Sequence, residues 1–294
     1  MKEWGDVMSV GLVLEGGGTR GAYTAGVLDV FMEENIEFKS VYGISAGACN
    51  ALSFISKQPG RNYDIFYQYI EDERYLSVTS LRKTRSIFGF DFIFGELWRD
   101  LLPFDYQTFY ESPVKFYAGA TDLDTGEAVF FSKDEDMRES FDAVRASSSL
   151  PMVAPVVHFK GYHLLDGGLA CPIPIEKSIE DGNELNVIVL TRDISYQKSP
   201  RSGFPRSAIR VVYRDYPKLS DVMQVRSGVY NAQTAFCRML EKTKKAVVIR
   251  PSSPVLVGAY EKDKEKLAAL YRMGAEDARG KVEEIKAFLS KQNT

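Results

Sequence analysis

Gly43-Ile44-Ser45-Ala46-Gly47 fits the pattern G-x-S-x-G, which sets a serine on a sharp turn between a strand and a helix. Glycines on both sides remove Cβ atoms that would clash in such a turn, so the Ser45 Oγ is exposed for attack on a carbonyl. The helix that begins after it favours developing negative charge. Chance alone gives roughly 0.15 matches in a chain of this composition, so context must support the pattern. A second cluster, Glu15-Gly16-Gly17-Gly18-Thr19-Arg20-Gly21, presents consecutive backbone N–H groups with no side chains in the way. Such a loop can bind an anion or serve as an oxyanion hole. Arg20 adds a permanent cation with a fixed donor fork. Gly16, Gly18 and Gly21 also satisfy G-x-G-x-x-G. A dinucleotide site, however, needs an acid at the end of the second strand, where this chain has Gly43-Ile44-Ser45, and Glu37 lies before that strand.

Asp166-Gly167-Gly168 is the third cluster. Alone it reads as a turn; it gains meaning if a serine needs a base. The chain has two histidines, His158 and His163. A hairpin closing on Lys160-Gly161 sets His158 opposite His163 and Phe159 opposite Tyr162. Period-2 alternation then puts His163 and Asp166 on opposite faces of the strand. The histidines read as a solvent-facing pair. A Ser–His–Asp triad is disfavoured but stays open, and the other option is a dyad of Ser45 and Asp166.

The elements that must position these groups alternate in type. Residues 7–14 read as a buried strand, 22–34 as a helix, 39–43 as a strand, and a further helix reaches about Ile55. Strand, tight turn, helix, repeated, is the order of a parallel α/β sheet. Residues 57–112 are less regular. A strand over 115–122 and a return over 127–131 form a hairpin, and Asp134 is placed to cap a helix reaching about Ala146. Residues 185–190 and 246–249 read as strands, 217–243 as a helix, and 261–290 as a charged helix or helix pair. The stretch 198–207 is the best candidate boundary.

The 294 residues carry 37 Lys and Arg against 40 Asp and Glu, a net charge of −3, which gives no reason to expect a nucleic-acid partner. At 45% hydrophobic there is ample material for a core. Cys49, Cys171 and Cys237 show neither metal nor redox spacing, which suits a reducing compartment. The apolar run Val7–Leu14 is short and preceded by Glu3 and Asp6, so it is not read as a signal peptide. No apolar run approaches the ~18 residues of a membrane span. Phe88, Phe90, Phe92 and Phe94 alternate strictly. They read as core packing or as a lid or acyl-chain wall, and the neighbouring Arg82, Lys83 and Arg85 as a solvated loop or a contact with an anionic lipid surface. Arg206, Arg210 and Arg214, with Lys198 and Arg201 nearby, read as a solvated helical face or a phosphate or partner patch.

The three clusters, in this order, resemble the patatin-like phospholipase family, most closely its bacterial branch. Members carry G-G-G-x-[RK]-G, then G-x-S-x-G, then D-G-[AG]. The segments Ala120–Glu127 and Ala146–Pro151 followed by Pro155-Val156 also look like the family's. Glu15 departs from the aspartate usual in plant members. The resemblance covers about residues 7–195 and implies a three-layer α/β/α sandwich with a central, mostly parallel sheet. It implies a catalytic domain over 7–195, with residues 196–294 as a helical or mixed extension completing or packing on the core. It implies a Ser45–Asp166 dyad, a glycine loop (Gly16, Gly17, Gly18, Arg20, Gly21) forming the oxyanion hole, an elbow built on Gly43, Ala46 and Gly47, and a D-G-G motif completed by Gly167 and Gly168. No cofactor and no metal are implied. The expected activity is hydrolysis of phospholipids, lysophospholipids or other lipid esters. The alternatives are acyl transfer or thioester hydrolysis at the same site, or lipid or anion binding without catalysis. A cytoplasmic protein follows, with room for peripheral membrane contact and a homo-oligomer.

Overall fold

The structure is a computed structural model that describes residues 9–200 and 205–290. Strand β1 (Val10–Leu14) runs through the glycine loop and a 3-10 turn, Gly18–Arg20, into α1 (Gly21–Glu33). Strand β2 (Ser40–Ile44) feeds α2 (Ala46–Ile55), with Ser45 alone between them. An excursion follows through α3 (Arg61–Tyr69), α4 (Val78–Thr84), a π-helical segment Phe92–Leu101 and α5 (Tyr106–Glu111). Next come β3 (Lys115–Asp122), β4 (Ala128–Ser132), α6 (Lys133–Asp136), α7 (Asp142–Ser147), and the hairpin of β5 (Val157–Phe159) and β6 (Tyr162–Asp166). The chain continues as α8 (Ile175–Glu180), β7 (Leu185–Val189), α9 (Arg206–Val212), α10 (Pro217–Lys242), β8 (Ala246–Ile249), α11 (Lys264–Arg279) and α12 (Val282–Ser290).

The strands form one mixed, mostly parallel sheet in the order β5-β6-β3-β2-β1-β7-β8, with β4 also on β3. Alternation along the strands shows that both faces are covered. Leu12, Leu14, Val187, Val189, Val247 and Ile249 belong to one core, shared with α1, α2, α11 and α12. Val13, Ile188 and Val248 turn to the other, against Ile175 of α8 and Tyr230, Cys237 and Leu240 of α10. Full burial of one such aliphatic side chain contributes about 1.5–3 kcal/mol, so both helical layers are held by the sheet's own pattern. Helices α1 and α11 are further tied by two tyrosine–carboxylate hydrogen bonds, Tyr23 Oη to Asp277 (2.9 Å) and Tyr271 Oη to Asp29 (2.7 Å).

Register brings the site together. Strand β2 pairs with β3 from Lys115 to Gly119, and β6 pairs with β3 from Ala120 to Asp122. The end of β6, Asp166, therefore arrives where β2 ends and Ser45 begins. Lys160 and Gly161 both have positive φ (49° and 83°), and the hairpin they close pairs His158 with His163 and Phe159 with Tyr162.

Two sequence expectations are corrected. The helix expected from Asp134 to Ala146 is two short helices. Ser132, not Asp134, caps the first, and the chain breaks where Met137 turns fully into the core. The alternating phenylalanines, read as core packing or an acyl-chain wall, run into the π-helical segment, which holds Phe92 and Phe94. Arg206, Arg210 and Arg214 do not share a helical face, because α9 ends at Val212; Arg210 instead donates to Ser220 Oγ at 3.1 Å. Arg201 lies outside the described residues.

Candidate active site

Ser45 sits at the N-terminus of α2 with φ 53° and ψ −122°. A non-glycine residue there costs about 1–3 kcal/mol, so its surroundings must hold it. Gly47 permits the turn, since a Cβ would stand 2.6 Å from the Leu14 carbonyl oxygen. Gly43 is equally confined, 2.6 Å from Ala48 Cα. The Ser45 N–H donates to Ser147 Oγ (2.8 Å), and that hydroxyl donates to the Gly119 carbonyl (2.6 Å). The elbow is thus pinned to β3 through α7.

Asp166 is buried, 2% exposed, and its Oδ1 accepts the Gly168 N–H at 2.7 Å. Gly167 packs so tightly that a Cβ would lie 2.2 Å from the Gly119 oxygen. Asp166 Oδ2 is buried without a partner at hydrogen-bond geometry, although the Ser45 hydroxyl is near enough to favour the ionised form. Burial raises the Asp166 pKa above the ordinary carboxylate range. Ser45, then Arg226, Gly168 and Lys198, pull it back.

The glycine loop passes beside the elbow. A Cβ on Gly16 would be 3.2 Å from Ser45 Cβ, and Gly21 accepts from Asn50 Nδ2 at 2.8 Å. Gly18 has φ +59°, and a Cβ on it would stand 2.4 Å from the Ala259 carbonyl oxygen. Thr19 ties the loop to the C-terminal part of the chain. Its N–H donates to Ala259 O (3.1 Å), its hydroxyl donates to Gly258 O (3.0 Å), and the Glu261 N–H donates to that hydroxyl (3.0 Å). Among the described residues, the N–H groups of Gly17 and Gly18 have no backbone acceptor. The Ala46 N–H, at the first position of α2, has no acceptor within its helix. Glu15 is buried, accepts the Thr191 N–H at 2.6 Å, and has its pKa raised by burial.

Two cavities of about 80 Å³ each meet at Ser45. One is aromatic, walled by Phe66, Tyr75, Phe88, Phe90, Phe94 and Trp98. The other is polar and takes in Arg20, Asp166, Arg192, Lys198 and Arg226. A larger groove, about 1040 Å³, opens near Phe38 and Lys115 at the start of the strands and contains none of the three sequence clusters. Parallel α/β sheets bind ligands at the carboxyl ends of their strands, where Ser45 lies.

The histidines stand apart from this site. His163 Nδ1 is 2.7 Å from Asp124 Oδ2, on a half-exposed hairpin face. Sequence reasoning missed the role of Ser147, and it missed Arg192, Arg226 and Tyr230 entirely. Arg192 carried a usable signal, because it closely follows an apolar parallel strand. Arg226 and Tyr230 lie within a long helix whose spacing marks neither.

The sheet, the two helical layers and the strand-ending glycine turns define an α/β protein with a serine elbow. Residues 12–178 match the patatin-like phospholipase family, and the chain belongs to it. Residues 216–290 match a domain of unknown function, DUF6363. The chain is 30% identical over 187 residues to the uncharacterized protein YjjU of Escherichia coli, covering 62% of this chain and 52% of that one. It is 23% identical over 263 residues to the lysophospholipase NTE1 of Debaryomyces hansenii, covering 83% of this chain and 16% of that one. It thus spans about half of the first relative and a small part of the second. The crystal structure of VipD from Legionella pneumophila aligns with a TM-score of 0.49 at 12% identity, over 94% of this chain and 67% of that one. Among the described residues, no helix is long and apolar enough to cross a membrane.

Proposed function

We propose that the chain hydrolyses lipid esters, of the phospholipid or lysophospholipid type, through a Ser45–Asp166 dyad. The observation that carries this is the strained Ser45 at the junction of an aromatic cavity and a buried aspartate with one unpartnered oxygen. The Ser45 Oγ attacks the ester carbonyl while Asp166 takes its proton. The oxyanion is held by the N–H groups of Gly17 and Gly18, with Ala46 behind the serine. Collapse expels the alcohol, which receives the proton from Asp166 and leaves an acyl-serine. Water, deprotonated by Asp166, then attacks that acyl group, and the proton returns to Ser45 as the fatty acid departs. Residues 205–290 belong to the same catalytic unit in this reading, since β8 extends the sheet and Ala259 braces the glycine loop.

A fluorophosphonate probe should label the wild type and not Ser45→Ala, whose p-nitrophenyl ester turnover should fall at least about 10³-fold. Asp166→Asn should cost at least about 10²-fold. An unlabelled, folded wild type, or an active Ser45→Ala, refutes the proposal. Burial raises the folded-state pKa of Asp166, so its charge costs stability above that pKa and the cost disappears as pH falls. Asp166→Asn should therefore raise Tm at neutral pH, with the gap closing on acidification. The wild type's acid-side loss of kcat/KM should begin above the ordinary carboxylate range.

A further inference from the structure

Ester hydrolysis at Ser45 needs no cations beyond the glycine loop, yet four converge on the polar cavity: Arg20, Arg192, Lys198 and Arg226. Only two carboxylates, Glu15 and Asp166, line it with them, so the wall is positive even with both ionised. The chain as a whole is negative, at −3. Among the described residues, none of the four cations forms an ion pair within 4.0 Å. Arg20 Nε and Arg192 Nε are buried donors with no acceptor. Such groups are costly unless something arrives to take them.

The cations are fixed in place rather than left to swing. Arg192 Nη1 donates to Val255 O (3.0 Å), and its guanidinium stacks 4.4 Å from the Tyr196 ring. Lys198 is held by a reciprocal backbone pair with Asn231 (2.9 and 3.1 Å), and its Nζ lies 4.9 Å from the Tyr230 ring. Arg226 Nε donates to Gly168 O at 2.9 Å. Fixed like charges facing one pocket form a preorganised receptor for a polyoxyanion. The aromatic cavity on the other side of Ser45 suits the acyl chain. What projects into the cationic side is then the alcohol half of the ester. A neutral glyceride would leave the four cations unpaired, whereas a glycerophosphate would meet them.

We propose that this wall is an anion subsite that binds a phosphate on the alcohol side of the substrate, with Lys198 and Arg226 as specificity-determining residues. Both lie beyond residue 178, where the patatin-like match ends, and Arg226 lies in the segment of unknown function. The substrate's orientation rests on the acyl-hydrolase reading; the binding of phosphate does not.

The test uses the full chain and two readouts. Calorimetry measures inorganic phosphate and glycerol 3-phosphate binding to the wild type, Lys198→Gln, Lys198→Arg and Arg226→Gln. Kinetics give the ratio of kcat/KM for lysophosphatidate to that for the monoacylglycerol with the same chain. Lys198→Gln should weaken phosphate binding and lower the ratio by at least about tenfold each, while Lys198→Arg stays within about threefold of wild type. Should Arg226→Gln fail to fold, Lys198→Gln carries the test alone. An unchanged ratio with unchanged phosphate affinity overturns the proposal. Equal losses on both esters, with phosphate affinity intact, also overturn it and assign Lys198 and Arg226 to positioning. A fall in phosphate affinity without a fall in the ratio gives the pocket to free phosphate and overturns the headgroup role. If the wild type hydrolyses neither ester yet loses phosphate binding in the variants, the acyl-hydrolase reading fails and the anion subsite stands.

Discussion

The two cavities that meet at Ser45 are built from different parts of the chain by different rules. The aromatic one comes from α2 and the excursion between α2 and β3, and packing alone explains it: Phe94, Trp98, Phe104 and Phe141 form a continuous ring cluster. The cationic one is assembled from the glycine loop, the segment after β7 and α10, and packing does not explain it. Apolar side chains satisfy one another wherever they meet. Four gathered cations do not, and Lys198 shows the cost. Burial, then the charges of Arg226 and Arg20, push its pKa down to about 8 against the pull of Glu15 and Asp166. Hydrophobic density reports folding, while uncompensated charge reports an absent ligand.

That contrast can be broken or sharpened by experiment. Reversing charge with Lys198→Glu should cut kcat/KM for a phosphate-bearing ester about 100-fold while keeping the acyl-length preference of wild type. A shift in chain-length preference would show that the two cavities are not independent. Phe94→Ala should lower the long-chain to short-chain kcat/KM ratio about tenfold, through lost contact worth ~0.8 kcal/mol per methylene. Its lysophosphatidate-to-monoacylglycerol ratio should stay as in wild type. Sulfate, which does not titrate near neutrality, should bind less tightly as pH rises through about 8. Lys198 is cationic below its pKa and neutral above it, so the affinity falls by less than about tenfold. Tyr230, Glu15, Asp166, Arg20 and Arg226 are the groups that face it. His163→Ala should change activity less than twofold, because its exposed pairing with Asp124 is worth ~0–1 kcal/mol and neither residue lines the two cavities at Ser45. A larger loss would reopen the triad.

The sequence was readable where a backbone constraint leaves a residue signature. Gly47 and Gly18 mark turns that no side chain could enter, and Lys160-Gly161 fixed the histidine pairing. Strand positions followed from short apolar runs. The site was less readable where partners meet from distant parts of the chain. Ser147 supports Ser45 from 102 residues away, and Arg226 reaches Gly168 across 58. No local spacing encodes such meetings. The run from Phe88 to Phe94 alternates in sequence, yet Phe88, Phe90 and Phe94 stack in series where the chain enters the π-helical segment, a placement no alternation specifies.

Thr19 takes its acceptors from Gly258 and Ala259, with 239 residues separating it from Gly258. Protein synthesis is directional, so Ser45 and Asp166 emerge from the ribosome long before the strap that braces the glycine loop. A chain halted before residue 258 thus carries Ser45 and Asp166 without the brace beside them, and in the proposed mechanism it should resist fluorophosphonate. The loop that receives the oxyanion in that mechanism is braced only once the segment around residue 258 has been made.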